Sequence, residues 1–134
     1  MKTSHNNSFL RRLALKFRSI PEVKLAYFFG SRVRGDSGPT SDYDFAFYVD
    51  ERESKKLFDI ECLLGNILAE ELTHDQFDVV MLDRLDAPEL AYQIVQEGQL
   101  FVDKEPYRMI FEPQAINRYE DHIMMLRRNH LTLA

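Results

Sequence analysis

The chain has 134 residues, 45% of them hydrophobic and 29% charged, which suits one soluble globular domain with a single core. Its net charge of −5 makes it a poor nonspecific binder of nucleic acid, and no apolar run reaches the roughly 18 to 20 residues of a membrane span. One cysteine, Cys62, supports neither an internal disulfide nor a zinc site.

Residues 8 to 18 read as an amphipathic helix, with Ser8 as cap and Phe9, Leu10, Leu13, Leu15 and Phe17 as its apolar set. The N-terminus lacks the apolar stretch of a secretory signal, so a cytoplasmic location is expected. Residues 1 to 34 hold eight Lys or Arg against one acid, a net +7, and the remainder carries −12. A solvated helix face is the simpler reading of Arg11, Arg12, Lys16 and Arg18; service to a triphosphate or an acidic partner is the other.

Val23 to Phe29, rich in β-branched and aromatic residues, is expected to be a strand. Gly30-Ser31 ends it, and the residues after it, with Gly35, Gly38 and Pro39, read as a loop. Asp42 to Val49 reads as a second strand. Glu51 to Leu72 carries the longest helical stripe, through Leu57, Ile60, Leu64, Ile67 and Leu68. Asp50 and Glu53 resemble a capping box. Cys62 is read as a core or boundary residue, and Gly65 as a point where another backbone comes close. Phe77 to Leu82 is a third strand. Ala87 to Glu97 is a helix, with Asp86 as cap, Pro88 in its first turn and Gly98 past its end. A short extended piece, Gln99 to Val102, precedes a last helix, Ala115 to Arg128. That helix is read as core packing, with a partner surface at Tyr119, Met124, Met125 and Leu126 as the alternative. His5, His74, His122 and His130 have no metal-ligand spacing and read as surface or boundary residues. The order implies one domain over residues 1 to 134, a small sheet packed against helices in an α/β (α+β) class.

One segment carries chemistry: Gly30-Ser31, ten residues, then Asp42-Tyr43-Asp44. Gly30 lets the backbone approach a phosphate, and the Ser31 hydroxyl adds a donor. Arg32 and Arg34 could add charge-assisted contacts, and Ser41 could orient Asp42 or hold a phosphate. Asp42 and Asp44, two apart on a strand, point to one face with Cα atoms about 6 to 7 Å apart. Two such carboxylates can share divalent cations. Asp78 opens the apolar run of the third strand. If that strand neighbours the second, Asp78 completes a three-carboxylate cluster and can ligate metal or deprotonate an attacking hydroxyl. Asp75 and Asp83 rank lower because each lies nearer a loop.

This pattern resembles the DNA polymerase β-like nucleotidyltransferases. Within them it is most similar to the minimal nucleotidyltransferases, whose loop usually reads Gly-Ser-Arg-Ala-Arg-Gly and ends Ser-Asp-x-Asp. Here the loop is Gly30-Ser31-Arg32-Val33-Arg34-Gly35 and ends Ser41-Asp42-Tyr43-Asp44, with Val33 as the departure. The resemblance covers roughly residues 9 to 102; residues 103 to 134 carry no signature.

The resemblance implies a nucleotidyltransferase fold and Mg²⁺-dependent transfer of AMP from ATP, with two ions. It implies the antitoxin half of a type VII-like toxin–antitoxin module. The partner is then an all-helical HEPN-domain ribonuclease toxin, silenced by adenylylation of a tyrosine. Carried over, Gly30 and Ser31 would hold the triphosphate; Asp42 and Asp44 would bind the ions; Asp78 would be the third carboxylate. Two alternatives stand beside this: an antitoxin acting by occlusion alone, and a nucleotidyltransferase for a small molecule such as an aminoglycoside.

Overall fold

A computed structural model describes residues 4–30, 42–73 and 75–129, with side chains from Ser8 onward. In chain order the elements are α1 (Ser4–Arg18), β1 (Val23–Phe29), β2 (Tyr43–Val49), α2 (Ser54–Leu72) and β3 (Phe77–Met81), then a 3-10 turn (Leu82–Arg84), α3 (Pro88–Glu97), β4 (Gln99–Asp103) and α4 (Tyr107–Arg128). The strands form one sheet in the order β3-β2-β1-β4. β1 runs antiparallel to β2 and β4, and β2 parallel to β3. Helices cover both faces, the α/β arrangement expected from the element order.

β1 is central and nearly all buried; only Lys24 is not. Its continuous apolar run, Val-Lys-Leu-Ala-Tyr-Phe-Phe, is what a strand covered on both faces requires. β2 alternates. Phe45, Phe47 and Val49 join a layer with Phe9, Leu13 and Phe17 of α1 and Leu57, Leu64 and Leu68 of α2. Ala46 and Tyr48 face the opposite layer, with Leu25, Tyr27 and residues of α3 and α4 such as Ile94, Phe111 and Ala115. The first layer is knitted by rings: Phe17 meets Phe47 edge-on at 4.9 Å, and Phe28 stacks on Phe45 at 5.3 Å. Such pairs add about 0.5 to 1.5 kcal/mol each beyond burial.

Polar ties hold the helices to this frame. Arg12 pairs with Glu71 at 2.7 Å, joining α1 to α2, so this arginine has a structural partner. The buried Tyr27 hydroxyl donates to Glu112 at 2.7 Å, tying β1 to α4. α3 and α4 are clasped by the stacked rings of Tyr92 and Tyr119, 4.0 Å apart, and by His122 against Glu89 at 2.9 Å.

Several expectations from the sequence are corrected. α1 begins at Ser4, so Ser8 lies inside it. α2 begins at Ser54, after the N-cap Glu53, which makes no side-chain cap bond. The expected capping box is absent because its members are engaged elsewhere: Asp50 accepts from the Tyr107 hydroxyl at 2.9 Å, and Glu51 accepts from the Glu53 N–H. Asp86 does not cap α3; Ala87 occupies that position, while Pro88 and Gly98 fall as expected. Cys62 is exposed. Among the described residues nothing beyond its own helix lies within 4 Å of where a Gly65 Cβ would be, so the expected close backbone is not there. The last helix begins at Tyr107 and runs through Pro113. The carbonyl that Pro113 leaves unbonded belongs to the exposed Met109, where water can satisfy it, and buried Phe111 and Ala115 hold the helix on either side. Tyr119 does pack, but Met124 and Met125 are exposed. β3 ends at Met81, and Leu82 opens the 3-10 turn.

Candidate active site

Alternation along two strands builds the site. On β2, Ala46 faces the α3–α4 layer, so Asp44, two residues earlier, faces the same way. On β3, Val80 packs against that layer, and Asp78 is two residues before it. The parallel register pairs Asp44 directly with Asp78. Two carboxylates on neighbouring strands therefore stand side by side on one face, as expected if β3 adjoined β2. The Tyr43 N–H donates to the Gln76 carbonyl at 3.0 Å, fixing this end of the pairing. Asp42 immediately precedes β2, two residues before Asp44. Asp44 and Asp42 are half-buried, and Asp78 is exposed.

β1 supplies the opposite wall. Phe29 is the register partner of Asp44 from the other side, and it belongs to the same layer as Tyr27 and Leu25. Gly30 follows with φ 94°, a left-handed conformation that glycine tolerates and other residues rarely adopt. A Cβ on Gly30 would collide with the Asp44 carboxylate. The expected turn at Gly30 is thus present, beside the expected acid. Ser31, Arg32, Arg34 and Ser41 lie outside the described residues.

Among the described residues, which include Asp42, Asp44 and Asp78, no group of three or more His, Cys, Asp or Glu side chains is gathered, so β3 adjoins β2 as expected but the expected three-carboxylate cluster is not assembled. The donor set is nonetheless hard oxygen, and the missing Cβ at Gly30 leaves room for the Asp44 carboxylate itself. Mg²⁺ is usually held by one or two carboxylates together with substrate phosphates rather than by an all-protein cage. Asp42, Asp44 and Asp78 fit that mode of binding.

Of the two competing acids, Asp83 is separated from the site along the sheet. Asp75 precedes β3, its N–H bonded to Leu72. Asp83 sits in the 3-10 turn at the far end of β3. There it lines a cavity of about 160 Å³ with Tyr48, Phe111 and Arg118. Four residues of β2 separate Tyr48 from Asp44, about 13 Å, so one small ligand does not reach both. Asp83 is exposed overall, but partial desolvation raises its pKa, opposed by hydrogen bonds from its own N–H and that of Val49. Asp83 thereby extends the β2 edge past the last β3 pairing.

Phe29 is the site neighbour that the sequence did not single out. β1 is apolar at every position but Lys24, so no alternation shows which of its residues shares a face with the acids. Of the four histidines, His122 alone has a described side chain, and it serves the α3–α4 clasp.

Comparison with known proteins bears on the family and the fold. A family model described as polymerase beta, nucleotidyltransferase, matches residues 12–107. Protein adenylyltransferase MntA of Aphanizomenon flos-aquae (strain 2012/KM1/D3) is 29% identical over 104 residues, 71% of this chain and 67% of that protein. A crystal structure of a toxin–antitoxin with AMP-PNP aligns with TM-score 0.69 and 23% identity over 92% of this chain and 94% of the matched one. A tri-AMPylated Shewanella oneidensis HEPN toxin in complex with MNT antitoxin gives TM-score 0.66 and 21% identity over 91% and 92%. The structural likenesses carry the fold, and the family model spans most of the chain with the acids and Gly30 inside it: this chain belongs to the polymerase β nucleotidyltransferase family.

Proposed function

We propose that this chain is a single-domain antitoxin that transfers AMP from ATP to a tyrosine of a HEPN-domain ribonuclease toxin, with Mg²⁺ as cofactor, and so inactivates it. The observation that carries the reading is the direct pairing of Asp44 with Asp78 beside Gly30. A purely occluding partner has no need of facing carboxylates. The names of the MntA and MNT–HEPN relatives support the acceptor and partner, and the AMP-PNP complex supports the nucleotide. No helix among the described residues is long and apolar enough to cross a membrane, in keeping with a cytoplasmic site of action.

Asp42 and Asp44 would hold the metal, with Asp78 as third carboxylate. Gly30 and Ser31 would hold the triphosphate, with Arg32, Arg34 and Ser41 as further contacts. Bound Mg²⁺ supplies charge neutralisation on the phosphates and acidifies the acceptor hydroxyl. The exposed Asp78 is the group placed to meet an incoming acceptor: it orients the phenol and takes its proton. The phenol oxygen bonds to the α-phosphorus as the bond to pyrophosphate breaks, and pyrophosphate leaves. Catalysis is then chiefly positioning and charge placement.

The test is the intact mass of a HEPN-domain partner coexpressed with this chain, wild type or carrying Asp42→Asn and Asp44→Asn. Mass added in whole AMP units with wild type alone is the expected result. An unmodified partner in a stable complex would replace transfer by occlusion, and no binding would redirect the search to small-molecule acceptors.

A further inference from the structure

Gly30 is expected to serve a phosphate through its backbone, but its surroundings assign it a second task. A Cβ built on Gly30 overlaps the terminal carboxylate oxygen of Asp44, and it would lie 3.1 Å from the Asp44 Cγ and 3.4 Å from its Cβ. The space a side chain would fill is therefore occupied by the carboxylate itself. Asp44 cannot move its backbone away, because β2 is paired on both sides: to Phe29 of β1 and to Asp78 of β3. It can only rotate about its own side-chain bonds, which moves the carboxylate away from its place beside Asp78. We propose that Gly30 is a positioning residue for Asp44: the missing Cβ is the seat that holds this carboxylate opposite Asp78, before any nucleotide arrives.

This rests on the proposed metal-binding role of Asp44, and two readouts separate the claims. The first is Mn²⁺ binding followed by electron paramagnetic resonance, without nucleotide, for wild type, Gly30→Ala, Asp44→Ala and the double variant. Gly30→Ala is expected to weaken Mn²⁺ about ten- to a hundredfold, the usual effect of disturbing a group that orients a ligand. The double variant is expected to bind no worse than Asp44→Ala alone. Wild-type Mn²⁺ affinity in Gly30→Ala would overturn the proposal and leave Gly30 a phosphate contact only. If Asp44→Ala itself binds Mn²⁺ like wild type, the metal reading fails instead, and the second readout decides the seat. That readout is the fall in Tm caused by Gly30→Ala in three backgrounds: Asp44, Asp44→Asn and Asp44→Ala. The steric seat predicts a similar fall in the first two, whose side chains have one shape, and a smaller fall in the third. An equal fall in all three, or failure of all three to fold, leaves only backbone strain at φ 94° and overturns the proposal.

Discussion

Replacing Asp78 by Asn should stabilise the metal-free protein, while removing the group proposed to take the acceptor proton. Asp78 and Asp44 are direct partners on parallel strands, so their Cα atoms lie about 4.8 Å apart. Two unit charges about 5 Å apart repel by about 0.8 kcal/mol in water and about 3 kcal/mol at an effective dielectric of 20. Asp78 is exposed and Asp44 half-buried, so the solvent-screened end applies, about 1 kcal/mol. For a chain of this size that is about 3 to 5 °C in Tm. The assay is thermal unfolding by circular dichroism, first in EDTA and then in Mg²⁺ with a non-hydrolysable ATP analogue. In EDTA the variant should melt higher than wild type. With metal and nucleotide the order should narrow or reverse, because wild type gains the larger binding stabilisation. A variant that melts lower in EDTA, or gains as much from metal and nucleotide as wild type does, would refute the picture of two like charges side by side on adjoining strands.

Tyr27→Phe removes the buried donor to Glu112 and should lower stability by about 1.5 kcal/mol, the low end for a bond to a charged acceptor, because Glu112 keeps Arg108 at 3.2 Å; urea unfolding measures it, and an unchanged midpoint contradicts it. Partial desolvation of the otherwise exposed Asp83 raises its pKa above the ordinary 3.8, so the folded state holds that proton to higher pH than the unfolded state, and a small, solvent-screened part of the stability is lost as pH rises from 3.8 through the raised value. Asp83→Asn should therefore raise Tm at pH 7, with the advantage vanishing below pH 3.8; a loss that is the same at every pH would show that the carboxylate's backbone bonds dominate. Gly65→Ala, where nothing lies within 4 Å of the added methyl, should stabilise α2 by about 1 kcal/mol; a lower Tm would mean that this glycine has a contact in the folded protein after all.

The strands were legible because their residues leave little choice. Val23 to Phe29 is apolar at every position but Lys24, and β2 alternates through Phe45, Phe47 and Val49. The Gly30 and Asp-x-Asp spacing could be read because that chemistry is local in sequence. What could not be read depends on partners far along the chain. Asp50 looked like a cap because its Tyr107 partner is 57 residues away. The last helix was read from Ala115 rather than Tyr107 because the burial of Phe111, which holds its first turns, is a tertiary fact. Cys62 looked like a boundary residue because helical periodicity alone does not say how wide the buried stripe is. The Asp44–Asp78 alignment was conditional in the sequence, since strand adjacency is a property of topology. Ser31, Arg32, Arg34 and Ser41 lie outside the described residues, and the sequence pattern remains their support.

The aromatic layer under α1 and α2 has a consequence for the chemistry on the other side of the sheet. Strand side chains alternate with a period of two, so a slip of one residue in β2 would turn Phe45, Phe47 and Val49 away from Phe17, Leu57 and Leu64 and drive Asp44 in among them. Burying a carboxylate among phenyl rings is far costlier than any loop rearrangement. The hydrophobic interior thus proofreads the assembly of the acids: a chain that has packed its rings has already aimed its carboxylates. A one-residue deletion within β2 would break both at once, whereas a two-residue change preserves the facing and alters only the reach.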